Sequence, residues 1–118
     1  ETVHPDPPDG VKFEMFVFDA LPMAQHPVII EAARSEDFSP VKNAEGVDSP
    51  QSSADDQVRM FAAWLRAAGV EIETDASGLP PFPFEISPRF AADRADFLVQ
   101  WAALKTKPVI AAGTVLEN

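Results

Sequence analysis

The chain has no cysteine, only five glycines, and nine basic side chains in 118 residues. Each scarcity excludes something. Without cysteine there is neither a disulfide framework nor a thiolate metal site. This leaves the compartment open, and a cytoplasmic address fits. The glycines do not cluster, so no Gly-rich phosphate loop is present. Nine Lys and Arg face 19 Asp and Glu, for a formal net charge of -10. A polyanion would be repelled, which argues against DNA, RNA or an anionic membrane surface as partners. No apolar run is long enough to span a bilayer. The head "ETVHPDPPDG" is rich in Pro and Asp and is not a signal peptide. Residues 1–10 read as a linker or entry loop, and the absence of an initial Met suggests a cut fragment.

Apolar residues make up 46% of the chain. That is enough for a folded domain with one modest core. In "VKFEMFVFDALPMAQ" two periodicities compete. Val11, Phe13, Met15 and Val17 alternate as in a strand, whereas Phe13, Phe16, Val17, Ala20, Leu21 and Ala24 follow helical spacing. The helical set is longer and predicts a helix from about Lys12 to Gln25, kinked or shortened by Pro22. "PVIIEAAR", residues 27–34, reads as a strand because of its β-branched centre. Residues 35–52 read as a long loop punctuated by Pro40, Gly46 and Pro50, of the kind that is usually functional or mobile.

A helix capped by Ser53, with Asp56 three residues on, follows. Its apolar stripe is Val58, Phe61, Ala62, Leu65 and Ala68, and Gly69 stops it. "VEIE" and "FEIS" read as short strands, "AADRADFLVQWAAL" as a helix with a strand through "DFLVQW" as the alternative, and "KPVIAAG" as a last strand. The element order implies an α/β or α+β chain.

Few residues stand out chemically. A lysine on a loop is read first as a solvated side chain. Lys42 differs in its setting: Pro40 fixes its own φ and holds Ser39 extended, while Asn43 and Gly46 permit a turn just after. A stiffened loop presenting an ammonium group suits a phosphate. Lys12 stands at the start of the first predicted helix, where backbone amides also favour anions. Both lysines could converge on one polyphosphate. His4 and His26 are far apart and have no ligand spacing, so no metal site is assigned. Glu36 and Asp37 read as solvated acids before they read as an acid/base pair. Phe13, Phe16 and Phe18 read as core first and as a ligand wall second. Trp64 and Trp101 read as packing residues. No nucleophile signature is present.

The stretch "KFEMFVFDALPMAQHPVIIEAARSEDFSPVKNAEG" resembles the UDP-N-acetylhexosamine pyrophosphorylases. These carry K-x-E-x-F-x-F-D, then a strand, then E-E/D-F-S-P-L/V-K-N-A. Lys12, Glu14, Phe16, Phe18 and Asp19 match the first motif. Glu36 through Ala44 match the second, and the interval between the two lysines agrees. "FEISPRFA" resembles the family's E-I-S-P segment over Glu85–Pro88. The family's upstream L-x-x-G-x-G-T-x-M nucleotide loop is absent, and "RFAADRADFLVQW" departs from its Y-A-G-E-G-L-E stretch.

The resemblance implies that residues 11–118 are the C-terminal part of a uridylyltransferase. The fold expected is an incomplete portion of the Rossmann-like nucleotide-diphospho-sugar transferase fold: α/β, with a mixed sheet and flanking helices. The implied reaction transfers UMP from UTP to a sugar 1-phosphate, N-acetylglucosamine 1-phosphate being the expected acceptor. It releases pyrophosphate and uses Mg²⁺, which no residue identified above would bind. Lys12 and Lys42 would contact phosphates, Phe16 and Phe18 would wall the sugar, and Asn43 would join them at the substrate. The missing N-terminal part would be a partner, the fragment alone would be inactive, and its exposed apolar face would favour self-association. Two alternatives stay open: a non-catalytic binding module, and a broad-specificity UDP-sugar pyrophosphorylase.

Overall fold

The computed structural model describes residues 10, 11 and 13–117. The chain divides into two compact units, Glu1–Glu31 and Ala32–Asn118.

Among its described residues the first unit contains one short element, a 3₁₀ helix at Val17–Met23. It falls within the helix predicted from about Lys12 to Gln25 but covers only its middle. Pro22 lies inside it and has no amide to donate. The tighter i→i+3 pattern needs only short pieces of such a sequence. Asp19 N donates to Phe16 O at 3.0 Å and Ala24 N to Leu21 O at 3.1 Å. The strand expected over residues 27–34 does not form. A strand needs a neighbouring edge for its amides, and the described part of this unit offers none. Phe13, Phe16 and Phe18 are exposed, so the expectation that they are core residues fails here.

The second unit holds the core. Helix α1 is a single turn, Arg34–Asp37, at the start of the predicted loop. Helix α2 runs Pro50–Ala67 and begins before its predicted start. Ser49, not Ser53, is its N-cap. The Ser49 hydroxyl accepts from Ser52 N at 3.2 Å, and Ser52 Oγ accepts from Ser49 N at 2.9 Å. Pro50, read above as loop punctuation, is the first helical residue, where its missing amide costs nothing. The apolar stripe buries Val58, Phe61, Ala62, Trp64 and Leu65. Gly69 ends the helix at φ 80°, and Val70 N returns to Leu65 O at 3.0 Å.

Residues 70–73 are unpaired rather than a strand, although Val70 and Ile72 pack against the core as alternation predicts. Strand β1, Glu85–Ile86, lies within the predicted "FEIS" strand. Helix α3, Arg94–Ala103, is capped by Asp93, whose carboxylate accepts from Asp96 N at 2.8 Å. The helical reading of "DFLVQW" therefore holds. The final strand β2 is Val115–Leu116, just beyond the predicted "KPVIAAG". That segment instead ends in a turn in which Gly113 takes φ 76° and donates to Pro83 O at 2.9 Å.

β1 and β2 pair in parallel, with Glu85 opposite Val115, so β1, α3 and β2 form a βαβ unit. Among the described residues the sheet is this parallel pair, not the wider mixed sheet expected, and the α/β character stands. Phe97 is fully buried. Its ring centroid lies 5.9 Å from that of Trp64, 6.1 Å from Phe90 and 5.6 Å from Trp101. Burying such a ring stabilises the fold by about 1.5–3 kcal/mol. Both tryptophans are core residues, as expected. Among the described residues, no helix is long and apolar enough to cross a membrane.

Candidate functional site

The segment from Phe38 to Asn43 leaves α1 and runs alongside the first turns of α2. Two hydroxyls hold it there. Ser39 Oγ donates to Asp56 Oδ2 at 2.6 Å, and Ser53 Oγ donates to Ser39 O at 3.2 Å. Pro40 restricts the next φ. The stiffening expected of this loop is thus supplied by α2 as well as by the proline.

Beyond Pro40 the chain closes on itself. The amides of Lys42 and Asn43 both donate to Asp48 O, at 2.6 and 2.9 Å. Asn43 Nδ2 donates to Val47 O at 2.7 Å. Gly46 takes φ 77° and Asp48 φ 55°, the left-handed region that glycine enters freely and aspartate tolerates. Ser49 Oγ donates to Gly46 O at 2.7 Å while capping α2. Residues 42–48 therefore form a closed loop whose neck is Lys42 and Asn43 against Asp48. Lys42 is exposed at this neck, with its backbone fixed.

Of the residues predicted to form the site, Lys42 and Asn43, consecutive in the chain, both lie at this neck. Asn43 spends its side-chain amide on the loop itself, a bracing role that composition did not suggest. Phe16 and Phe18 are exposed in the first unit, Phe16 preceding the 3₁₀ helix and Phe18 within it. Lys12 and His4 lie outside the described residues. Glu36 and Asp37 are exposed on α1, consistent with solvated acids, and His26 is exposed. Among the described residues no cluster of three or more His, Cys, Asp or Glu could hold a metal ion.

Sequence reasoning missed Ser39, Asp56 and Asp48 as the parts that set the loop. The pair Ser49-Pro50 was a legible signal, since a cap residue followed by proline marks a helix start. Arg59 extends the bracing. Its NH1 donates to Asp56 Oδ1 at 2.5 Å and its Nε to Ser77 Oγ at 3.2 Å. Ser77 belongs to a turn centred on Asp75. There Oδ1 accepts from the Ser77 hydroxyl and from the amides of Ser77 and Leu79. The Ser77 hydroxyl first, then the Leu79 amide, holds the Asp75 carboxyl below its ordinary value. A continuous polar chain thus joins the Lys42 loop, α2 and the 75–79 turn.

Comparison with known proteins points the same way as the motifs. The chain is 42% identical over 62 residues to UDP-N-acetylglucosamine diphosphorylase 2 of Arabidopsis thaliana, covering 51% of this chain and 12% of that protein. It is 37% identical over 84 residues to UDP-N-acetylhexosamine pyrophosphorylase-like protein 1 of Homo sapiens, covering 69% and 17%. A probable UDP-N-acetylglucosamine pyrophosphorylase of Dictyostelium discoideum is 33% identical over 91 residues, covering 75% and 18%. The chain is a relative of the UDP-N-acetylhexosamine pyrophosphorylases. It spans less than a fifth of the length of each of these three relatives. No family model matches the chain, and no solved structure matches it.

Proposed function

We propose that this chain is the phosphate-facing, C-terminal part of a uridylyltransferase. The reaction transfers UMP from UTP to a sugar 1-phosphate, N-acetylglucosamine 1-phosphate being the favoured acceptor. One observation carries the reading: Lys42 is exposed at the neck of a loop locked by its own backbone and by α2. Nucleotidyl transfer depends on placing fixed positive charge where phosphate oxygens gain negative charge. Lysine supplies that charge as a compact ammonium on a flexible stem, and the held backbone of Lys42 anchors the base of that stem. The names carried by the relatives support the same chemistry.

Lys12, Phe16, Phe18 and Asn43 take the roles implied by the resemblance: a second phosphate contact, two walls for the sugar, and a substrate contact beside Lys42. Mg²⁺ would assist by neutralising phosphate charge. Among the described residues no group of three or more His, Cys, Asp or Glu could hold it.

The test uses the whole protein that contains this chain, assayed for UDP-sugar formation from UTP and a panel of sugar 1-phosphates. Lys42→Ala should lower turnover by about 10²-fold, the loss typical of one transition-state charge contact. Near-normal turnover in that variant would overturn the role of Lys42. Equal use of many sugars would favour a broad-specificity UDP-sugar pyrophosphorylase. No UDP-sugar from the unmodified whole protein would favour a non-catalytic module. The 118-residue chain alone should make none.

A further inference from the structure

Three of the chain's five arginines, Arg34, Arg59 and Arg94, line one groove. They come from α1, α2 and α3 and are brought together only by the fold. The groove has a volume of about 710 Å³, within the range of sites for small organic ligands. Its two carboxylates are Glu36 and Asp56, so three positive groups meet two negative ones in a chain of net charge -10. Asp56 is already engaged, with Oδ1 taken by Arg59 and Oδ2 by Ser39. Phe38, half exposed, supplies most of the aromatic surface, Trp64 adds only the small part of its ring left outside the core, and the Arg34 guanidinium lies over the Phe38 ring at 4.4 Å. Stacking of this kind orients the flat fork of an arginine and leaves its edge N–H groups available to a planar anion.

We propose that this groove binds a small amphipathic organic anion. Its ring lies against Phe38 and Trp64, and its phosphate or carboxylate is held by Arg34 and Arg94. Lys42 does not line the groove, so the site is separate from the loop cation and does not depend on the transferase reading. Guanidinium forks pair with phosphate or carboxylate through two parallel hydrogen bonds.

The experiment titrates the 118-residue chain with phenyl phosphate, benzoate and benzyl alcohol, followed by amide NMR shifts. Phenyl phosphate or benzoate should give saturable shifts around Arg34, Phe38, Trp64 and Arg94. Whichever binds tighter names the anionic group. Benzyl alcohol, which keeps the ring and lacks the charge, should bind at least about tenfold more weakly. Arg94→Gln, and Arg34→Gln with Arg94→Gln, should weaken the anions by about tenfold or more while the dispersed amide spectrum shows the fold intact. Lys42, outside the groove lining, is not expected to contribute to the affinity read in this titration, whatever its effect on turnover. The proposal is overturned if benzyl alcohol binds as tightly as the anions, if no saturable shift appears, or if the arginine variants bind the anions as tightly as the unmodified chain.

Discussion

The hydroxyl of Ser39 donates to a carboxylate oxygen of Asp56 at 2.6 Å, across 17 residues of sequence. This bond ties the segment entering the Lys42 loop to the second turn of α2. The other Asp56 oxygen holds Arg59, which reaches on to Ser77. One carboxylate therefore joins three segments. Removing it in Asp56→Ala should free the loop more than it destabilises the fold. The side chains of Asp56 and Arg59 are partly exposed, at 46% and 33%, so solvent screens the ion pair. The expected loss is about 1 kcal/mol or less. The specific readout is cleavage by a lysine-specific protease after Lys42, which has no other lysine between it and Lys105. Cutting there should accelerate in Asp56→Ala, and an unchanged rate would show that the loop is held without this bond.

Ser49 has the largest role of any single hydroxyl in the loop. It is nearly fully buried, caps α2 and donates to Gly46 O. Ser49→Ala removes the cap and leaves a loop carbonyl without its donor. Urea unfolding should show a loss of about 1–2 kcal/mol. Ser53→Ala, at the residue that sequence reasoning takes for the cap, removes only a bond to Ser39 O and should cost less. If Ser53→Ala proves the more damaging, the helix starts later than described.

What could be read in advance follows from how local each interaction is. The stripe on α2 and the choice of helix over strand at "DFLVQW" were legible, because 3.6-residue periodicity is written into consecutive residues. The strand over residues 27–34 was not, since β-branched composition cannot provide the neighbouring strand it needs. The start of α2 lies earlier than the loop punctuation suggests, because Pro50 sits in the first turn, where proline is at home. For the site, Pro40, Asn43 and Gly46 announced a stiffened turn. The closure at Asp48 was not announced, because it needs a non-glycine residue at φ 55°. The bond from Ser39 to Asp56 and the arginine groove depend on tertiary approach alone.

Asp75 makes the 75–79 turn sensitive to acid. Its Oδ1 accepts from the Ser77 hydroxyl at 2.7 Å, the Ser77 amide at 2.8 Å and the Leu79 amide at 3.0 Å. These donors favour the charged form and lower its pKa from the ordinary 3.8. Because the folded value lies below the unfolded one, the contribution is complete above the unfolded pKa. It is lost as pH falls through the folded value. A carboxyl NMR titration should place Asp75 below the ordinary aspartate value, with the Ser77 and Leu79 amides shifting in step. Asp75→Asn should abolish that coupled step. Titration at or above the ordinary value would contradict the turn.

The two units differ in what water does to them. Every buried residue among those described lies between Ser49 and Leu116, in the second unit. In the first, Phe13, Met15, Phe16, Val17, Phe18, Leu21 and Met23 are all exposed. Apolar surface concentrated in so short a stretch favours association with a like surface. A chain starting at Ala32 should therefore keep the core and lose the tendency to associate. Its melting temperature should move by less than about 4 °C, corresponding to under about 1 kcal/mol. Sedimentation velocity at matched concentration should show the full chain shifting toward larger species and the shortened chain remaining monomeric. Association persisting unchanged after the first unit is removed would place the sticky surface on the second unit, with exposed Val99 on α3 the next surface to substitute.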